Sequence, residues 1–474
     1  MNIVIVGCGK VGSSLTRELS REGHDITVVD TKPQKVSQLV QENDVMGLVG
    51  NGIVPEIQLD AGIDQADVVI ATTSNDELNL LCCLLARKLS GGCATIARVH
   101  NPEYSGAVEY LQNEMGISMI INPELEAARA IGRVLRLPSV ISVDTFSKGL
   151  AEILRVKIQP DSGLADMPVK DIPARLKSDI LVCVVERGGK AYIPDGDFIL
   201  KAKDVISIAG QPANTSDFFR KIGIRKQPIH SIMIIGAGKL SFYLGKQLDR
   251  SRVDVTMIES KPETCDIMAQ EFPEFTIVHG DGSDQNLLIE EGLDEMDAFI
   301  SLTGIDEENI FLSLYARGRT GIKTITKINR IRFDEVINSL DLDTIINPKS
   351  IAAEMIIRYV RALANATGSN VETVNRLASD QVEAIEFNIR KDSRATGIPL
   401  QSLNLKPGVL VALIQRGGHV ILPRGSDELL EDDTVIIVTS HTGFTDIDDI
   451  LEKNGGGNRG DRLRLAELAR ERGA

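Results

Sequence analysis

Three glycines and one acid, set in a fixed order, are the residues of this chain best suited to hold a small molecule. In Val6-Gly7-Cys8-Gly9-Lys10-Val11-Gly12 the glycines fall at 7, 9 and 12, and Asp30 closes the pattern. Gly7 permits a tight turn, Gly9 lets backbone approach a pyrophosphate, and Gly12 lets a helix lie close on a strand. Unpaired N–H groups at the start of that helix, aided by its dipole, attract phosphate. Asp30 can accept hydrogen bonds from both hydroxyls of a ribose, and its charge repels a 2′-phosphate. The chemistry is recognition of an adenosine nucleotide, and the candidate residues are Gly7, Cys8, Gly9, Lys10, Val11, Gly12 and Asp30. The alternative is a tight strand–helix turn with no ligand.

The flanking elements supply the context that a lone glycine pattern lacks. Ile3-Val4-Ile5-Val6 has the length and β-branching of a strand buried on both faces. Ser13 to Glu22 reads as a helix with Leu15 and Leu19 on one stripe, and Ile26-Thr27-Val28-Val29 as a second strand. Further strand candidates at 45–49, 67–71, 94–99 and 117–121 alternate with helical stretches, which predicts a parallel sheet covered on both faces. A helix from about Pro123 to Leu135, ended by Pro138, leads to a different texture. Runs such as Leu181-Val182-Cys183-Val184-Val185 and Asp204-Val205-Ile206-Ser207-Ile208 are separated by Gly-Gly and Pro-Asp-Gly turns, as in small antiparallel α+β modules.

The whole pattern is written twice. Ile232-Met233-Ile234-Ile235-Gly236-Ala237-Gly238-Lys239-Leu240-Ser241 repeats the opening, and Asp254 to Glu259 repeats Asp25 to Asp30. Gly50-Asn51-Gly52 returns as Gly280-Asp281-Gly282, and Ile121-Asn122-Pro123 as Ile346-Asn347-Pro348. The expected domains are 1–130 and 228–358 (parallel α/β) and 138–222 and 372–450 (α+β). The tail, 454–474, reads as a flexible charged linker with a solvated or docking helix.

Composition narrows the classes. A net charge of −15, with no Lys/Arg-rich run, argues against a nucleic-acid partner. Six cysteines lie mostly in apolar segments without metal spacing, the expectation for reduced core thiols in a cytosolic protein. The first strand leaves no room for a signal peptide, and no apolar run nears the ~18 residues needed to span a bilayer. Any membrane role is expected to go through a partner.

Other candidate contacts cluster near the strand ends. Thr72-Thr73-Ser74 follows the fourth strand at the crevice where open α/β sheets bind ligands, with hydroxyls and free N–H groups for phosphate or ribose; Asn75-Asp76-Glu77 can equally cap the next helix. Asn51 and Gly52 lie where adenine would sit, or form a plain Asn-Gly turn. Arg98, a charge in a strand, needs an anion, either a phosphate or a carboxylate of the neighbouring unit. The second set is Gly236, Ala237, Gly238, Lys239, Leu240, Glu259, Asp281, Gly282, Thr303, Gly304 and Lys327. Ser241 in place of the third glycine is expected to push helix and strand apart or crowd a pyrophosphate. The first site is therefore expected to bind more tightly, and the second to be weaker or to take a different nucleotide. An NAD-dependent oxidoreductase is the alternative function, but none of the six histidines has an acid partner in a recognisable motif.

VGCGKVG with Asp30, the paired Gly-x-Gly turns, Ala71-Thr72-Thr73-Ser74-Asn75-Asp76-Glu77, Ala97 to Tyr104 and Ile193-Pro194-Asp195-Gly196 carry a resemblance over about residues 1–450. The chain resembles the TrkA-type regulators of bacterial Trk potassium uptake, with two tandem RCK (KTN) units. The resemblance implies two Rossmann-like doubly wound parallel-sheet domains, each followed by a small α+β RCK C-terminal domain. It implies no catalysis, binding of NAD(H) and/or ATP/ADP, and no metal. It also implies a homo-oligomer, either a dimer or a tetrameric ring, on the cytoplasmic face of the membrane. That ring would dock on a TrkH/TrkG-type potassium-translocating subunit. A hinge from about Pro123 to Pro138, with its counterpart after Pro348, would pass nucleotide-dependent movement to the channel; a purely structural ring with a fixed nucleotide is the other expectation.

Overall fold

A computed structural model describes residues 1–104, 108–136, 140–159, 162–222, 229–329, 337, 340, 342–365, 371–378, 381–391, 393–444 and 446–452. Pro138 and the tail expected at 454–474 lie outside the described residues. The chain forms two compact units, Met1–Arg136 with Pro228–Val360, and Leu137–Gln227 with Arg361–Ala474. Each unit thus gathers equivalent parts of the two repeats.

In the first unit, β1 (Asn2–Val6), α1 (Lys10–Arg21), β2 (Asp25–Asp30), α2 (Pro33–Glu42), β3 (Met46–Val49) and α3 (Pro55–Asp60) build one half of a sheet. The other half is β4 (Val68–Ala71), α4 (Asp76–Ser90), β5 (Ala94–Arg98), α5 (Val108–Met115) and β6 (Met119–Ile121), followed by α6 (Pro123–Arg136). The order is β3-β2-β1-β4-β5-β6. Every pairing is parallel, for instance Ile5 against Val28 and Ile70. The order reverses between β1 and β4, and the glycine loop leaves β1 at that switch point. The helix expected from Ser13 begins at Lys10, because Gly9 is its extended N-cap residue.

After a segment that belongs to the second unit, the repeat resumes with β12 (Ser231–Ile235), α9 (Lys239–Leu248), β13 (Asp254–Glu259), α10 (Pro262–Glu271), β14 (Thr276–His279) and α11 (Gln285–Glu290). It continues with β15 (Ala298–Ser301), α12 (Asp306–Thr320), β16 (Lys323–Lys327), β17 (Thr344–Ile346) and α13 (Pro348–Asn365). The strand order is the same, β14-β13-β12-β15-β16-β17. Helix α6 belongs by sequence to the first repeat but packs in the core of the second. Its buried Ala127, Ala128, Ile131, Val134 and Leu135 join Leu240, Tyr243, Leu244 and Leu248 of α9. Asn122, just before α6, donates to the Tyr243 hydroxyl at 2.8 Å. The segment expected as a hinge is thus anchored over α6 by an apolar stripe and a hydrogen bond.

The second unit holds β7 (Val140–Phe146), β8 (Ala151–Lys157), α7 (Ile172–Leu176), β9 (Ile180–Arg187), β10 (Lys190–Tyr192), β11 (Val205–Gly210) and α8 (Pro212–Lys221). Their antiparallel sheet runs β10-β9-β11-β8-β7. The second copy is β18 (Val371–Leu377), β19 (Val382–Asn388), β20 (Val409–Arg416), β21 (His419–Ile421) and β22 (Thr434–Thr439), ordered β18-β19-β22-β20-β21. The two sheets share a core in which Phe146, Ile153 and Val184 meet Leu377, Ala384 and Leu413. Buried Glu386 accepts both the N–H and the hydroxyl of Ser147 at 2.8 and 2.9 Å across that interface.

Candidate functional site

A cavity of about 420 Å³ opens over the carboxyl ends of β1 and β4. Gly7, Gly9, Lys10 and Val11 form its floor, Asp30, Asn51 and Gly52 one wall, and Thr72, Thr73, Ser74 and Arg98 the other. The spacing therefore brings together eleven of the thirteen residues expected for the first site; Cys8 and Gly12 are the two that do not line it.

Both absentees have a structural task. The Cys8 N–H donates to Asp30 Oδ2 at 2.8 Å, and the Lys32 N–H donates to Asp30 Oδ1 at 2.9 Å. The carboxylate is thus oriented by backbone while each oxygen keeps a lone pair for a ribose hydroxyl. Burial, with the Asp30 charge beside it, pushes the Cys8 thiol up to about 12, so it stays protonated and unreactive. Gly12 presses on the loop: a Cβ there would lie 2.0 Å from the Gly7 carbonyl oxygen. Gly7 itself has φ of +103° and sits where a Cβ would lie 2.8 Å from the Thr73 nitrogen.

The opposite wall is fastened by a residue that the motif reading missed. Asn79, wholly buried in α4, accepts the Thr73 N–H at 2.8 Å. Its amide donates to the carbonyls of Thr73 (3.2 Å) and Arg98 (2.8 Å). The Thr72 N–H donates to the Val6 carbonyl at 2.8 Å. The N–H groups of Thr72 and Thr73, expected to be free for a ligand, are therefore engaged by the protein. Asn75 does cap α4, accepting the Leu78 N–H at 2.6 Å. The sequence signal was available: an Asn inside the apolar run of a helix, recurring as Asn309, which binds Thr303 and Lys327 in the same way.

Asn51 lines the cavity and its side chain also accepts the Ile53 N–H at 3.3 Å, so the turn and the wall coexist. A Cβ on Gly52 would lie 2.3 Å from the Val6 side chain, so only glycine fits this approach to β1. Arg98 borders the cavity, and its Nε is buried with no hydrogen-bond partner among the described residues. Lys10, Lys32, Lys35, Arg98 and Lys349 thus line the cavity with a single acid, Asp30, among them. That balance suits a polyanion. Lys349 is the surprise, because it comes from α13 in the other repeat.

The second copy keeps the acid and differs in the residues opposite it. Glu259 accepts the N–H groups of Ala237 (2.8 Å) and Lys261 (3.0 Å), as Asp30 does. Gly236, Gly238, Lys239 and Leu240 repeat the loop and the start of α9. Ser241 is fully buried and its hydroxyl donates to the Gly236 carbonyl, so the side chain turns into the loop. The loop stands slightly off: a Cβ on Gly236 would lie 3.1 Å from the Thr303 nitrogen, against 2.8 Å in the first copy. Asp281 accepts the Ser283 N–H and hydroxyl at 2.9 and 2.8 Å, which hold its carboxyl below the usual range. A Cβ on Gly282 would lie 2.2 Å from the Ile235 side chain, matching Gly52. Lys327, the counterpart of Arg98, spends its ammonium on the Leu302 carbonyl at 2.6 Å, and burial pushes its pKa down. A cavity of about 430 Å³ beside this copy is lined by Gly304, Ile305, Asp306, Glu307 and Asn329, with Lys10 and Lys349.

Two family profiles match the chain in alternation. The TrkA-N domain matches residues 3–123 and 232–348, and the TrkA-C domain residues 153–223 and 384–451. A Methanosarcina mazei protein named Trk system potassium uptake protein TrkA homolog 1 is 28% identical over 455 residues, 94% of this chain and 99% of its own. Trk system potassium uptake protein TrkA of Haemophilus influenzae is 28% identical over 93% of this chain and 96% of its own. Among solved structures, one titled GsuK channel bound to NAD is 18% identical, with a TM-score of 0.60. It covers 99% of this chain and 79% of that one, and establishes the likeness of fold.

Proposed function

This chain belongs to the family built from tandem TrkA-N and TrkA-C domains, and from that premise we propose that it is the nucleotide-sensing regulatory subunit of a potassium transport system. It works without catalysis: it binds NAD(H) and/or ATP/ADP and passes the binding state to a membrane subunit of the TrkH/TrkG type. The observation that carries this reading is the Asp30 carboxylate, oriented by two backbone N–H groups at the rim of a cationic cavity over the β1–β4 switch point.

In this reading the glycine loop and the start of α1 hold the phosphates, Asp30 the ribose, and Asn51 and Gly52 the adenine edge. The second copy offers Gly236, Ala237, Gly238, Lys239, Leu240, Glu259, Asp281, Gly282, Thr303 and Gly304 as a weaker counterpart. A nucleotide that fits two arrangements of the chain unequally shifts the balance between them by its differential affinity. The chain acts as a homo-oligomer, a dimer or a ring of four, peripheral to the cytoplasmic face of the membrane. Among the described residues no helix is long and apolar enough to cross a membrane; in this reading the membrane subunit is what brings the chain to the bilayer.

The test is direct. Mass spectrometry of the purified chain identifies any nucleotide it carries, and calorimetric titration with NADH, NAD, ATP and ADP ranks them. Binding of at least one, lost in Asp30→Ala, supports the reading; no binding to any of the four overturns it.

A further inference from the structure

On the core side of Asn51 and Gly52, away from the first cavity, lies a buried polar pair. Gln58 of α3 is 1% exposed, and its amide donates to the Gly52 carbonyl at 2.6 Å. The same nitrogen reaches the Cys82 carbonyl at 3.2 Å and the Cys82 sulfur at 3.4 Å. From α4, the buried Cys82 thiol also donates to the Gly52 carbonyl, at 3.3 Å. Burial pushes this thiol up to about 12, so it stays a protonated donor. Two helices thus grip one carbonyl of a residue that lines the cavity.

The grip is not what folds the turn. In the second repeat two buried leucines, Leu288 and Leu312, stand at the positions of Gln58 and Cys82. The turn forms there all the same. The Val54 N–H donates to the Asn51 carbonyl at 3.0 Å, and the Asp284 N–H to the Asp281 carbonyl at 3.0 Å. A Cβ on Gly52 or on Gly282 would meet the neighbouring strand equally closely, at 2.3 and 2.2 Å. The polar pair also carries a cost that leucine avoids, because Gln58 Oε1 is buried with no hydrogen-bond partner among the described residues. A costly pair present in one copy only, and tied to the cavity wall, points to the ligand rather than to folding.

We propose that Gln58 and Cys82 are positioning residues for the base of the nucleotide, holding the Gly50-Asn51-Gly52 wall so that the first cavity prefers a purine. This deepens the reading above and rests on it. Gly52 has no side chain, so what it presents to a base is backbone, and the two donors fix where that backbone stands. A gap of about 0.5–1 Å against a flat ring forfeits roughly a quarter to a half of each dispersion contact. A fused two-ring base makes more of these contacts than a single ring, so it loses more when the wall yields. Ribose and phosphates, proposed to lie on Asp30 and the glycine loop, are common to purine and pyrimidine nucleotides and are affected alike.

The experiment is calorimetry on the full chain with ATP and CTP, which differ only in the base. Wild type, Gln58→Leu, Gln58→Met, Cys82→Ser and Asp30→Ala are compared, each checked for an intact melting transition. Wild type should prefer ATP. Gln58→Leu should weaken ATP by about three- to tenfold, the scale of one neutral hydrogen bond, and CTP by less, so the ATP/CTP ratio falls about threefold or more. Gln58→Met, of similar length and without the donor, should behave the same and serves if the leucine variant fails to fold. Cys82→Ser keeps a donor and should hold the ratio within about twofold. Asp30→Ala should weaken both nucleotides together, leaving the ratio unchanged. Equal weakening of ATP and CTP in the Gln58 variants, unchanged ATP binding in them, or a wild type without preference for ATP overturns the positioning role and leaves nucleotide binding in place. A wild type that binds neither nucleotide overturns this inference, and the four-ligand titration above then decides the reading beneath it.

Discussion

Asp30 lies at the end of β2 with one carboxylate oxygen 2.8 Å from the Cys8 nitrogen, so the acid and the glycine loop are fixed to each other before any ligand arrives. Glu259 repeats this with Ala237 at the same 2.8 Å, its extra methylene absorbed without loss of the bond. The acid proposed to hold a ribose is thus preorganised, and affinity gained through it would carry little ordering cost.

Asp30→Ala should weaken every adenosine ligand by about 10- to 100-fold, the scale of one or two charge-assisted hydrogen bonds. Isothermal titration measures it. The cost includes the stranded Cys8 and Lys32 N–H groups, so Asp30→Asn, which restores one acceptor, should recover part of it.

Binding stoichiometry should be unequal, with one tight site per chain. The first cavity has Arg98 at its edge, whereas Lys327 is tied to the Leu302 carbonyl. Calorimetry should show Asp30→Ala removing the tight phase and Glu259→Ala leaving it. Two equal sites would contradict this.

Gly12→Ala should destabilise the first unit by about 1–3 kcal/mol, because the new methyl meets the Gly7 carbonyl and overpacking costs about that much. Ser241→Gly, its mirror, should cost no more than about 1 kcal/mol, since it loses one neutral hydrogen bond. Urea denaturation compares the two.

Asn79→Ala should cost about 1–3 kcal/mol, as it strands the half-buried Thr73 N–H and the Arg98 carbonyl. The loop over the cavity loosens with it, so nucleotide affinity should fall even though Asn79 is absent from the cavity wall.

Stability of the ligand-free chain should rise with pH through Lys349 and Lys323, pushed down to about 8 and about 7 mainly by burial. Above those values the unfolded chain binds protons that the folded chain does not, so stability is gained as pH increases. The sign reverses above the ordinary thiol value of 9.0. There the buried Cys8, Cys82 and Cys183 stay protonated, up to about 12, while unfolded thiols ionise. Melting curves from pH 6.5 to 10 should pass through a maximum, and Lys349→Met should flatten the rising limb (about pH 7–9, the span set by those shifts).

Much of this architecture was legible because its signals are local. A β-branched run followed by spaced glycines and an acid needs only about thirty residues to be read, and the repeat doubled each signal. The alternating strands fell where expected, at Asp25–Asp30 and Ala94–Arg98 for example. What escaped depends on distant packing. Lys349 reaches the first cavity from a helix in the other repeat, and nothing in its own neighbourhood announces that. Ser241 reads as an obstruction because its hydroxyl's turn toward Gly236 depends on the loop's slight displacement. The free N–H groups expected at Thr72 and Thr73 were taken by Val6 and Asn79, and those partners emerge only from the folded sheet.

Helix α6 leaves its own repeat to complete the core of the next one. A gene cut at the repeat boundary would therefore yield an amino-terminal fragment with an apolar helix lacking its bed, and a carboxy-terminal fragment with an open groove along α9. Neither piece is a free-standing module. Each repeat thus depends on its sibling for a complete core, and a change on either side of the α6–α9 contact is felt by both.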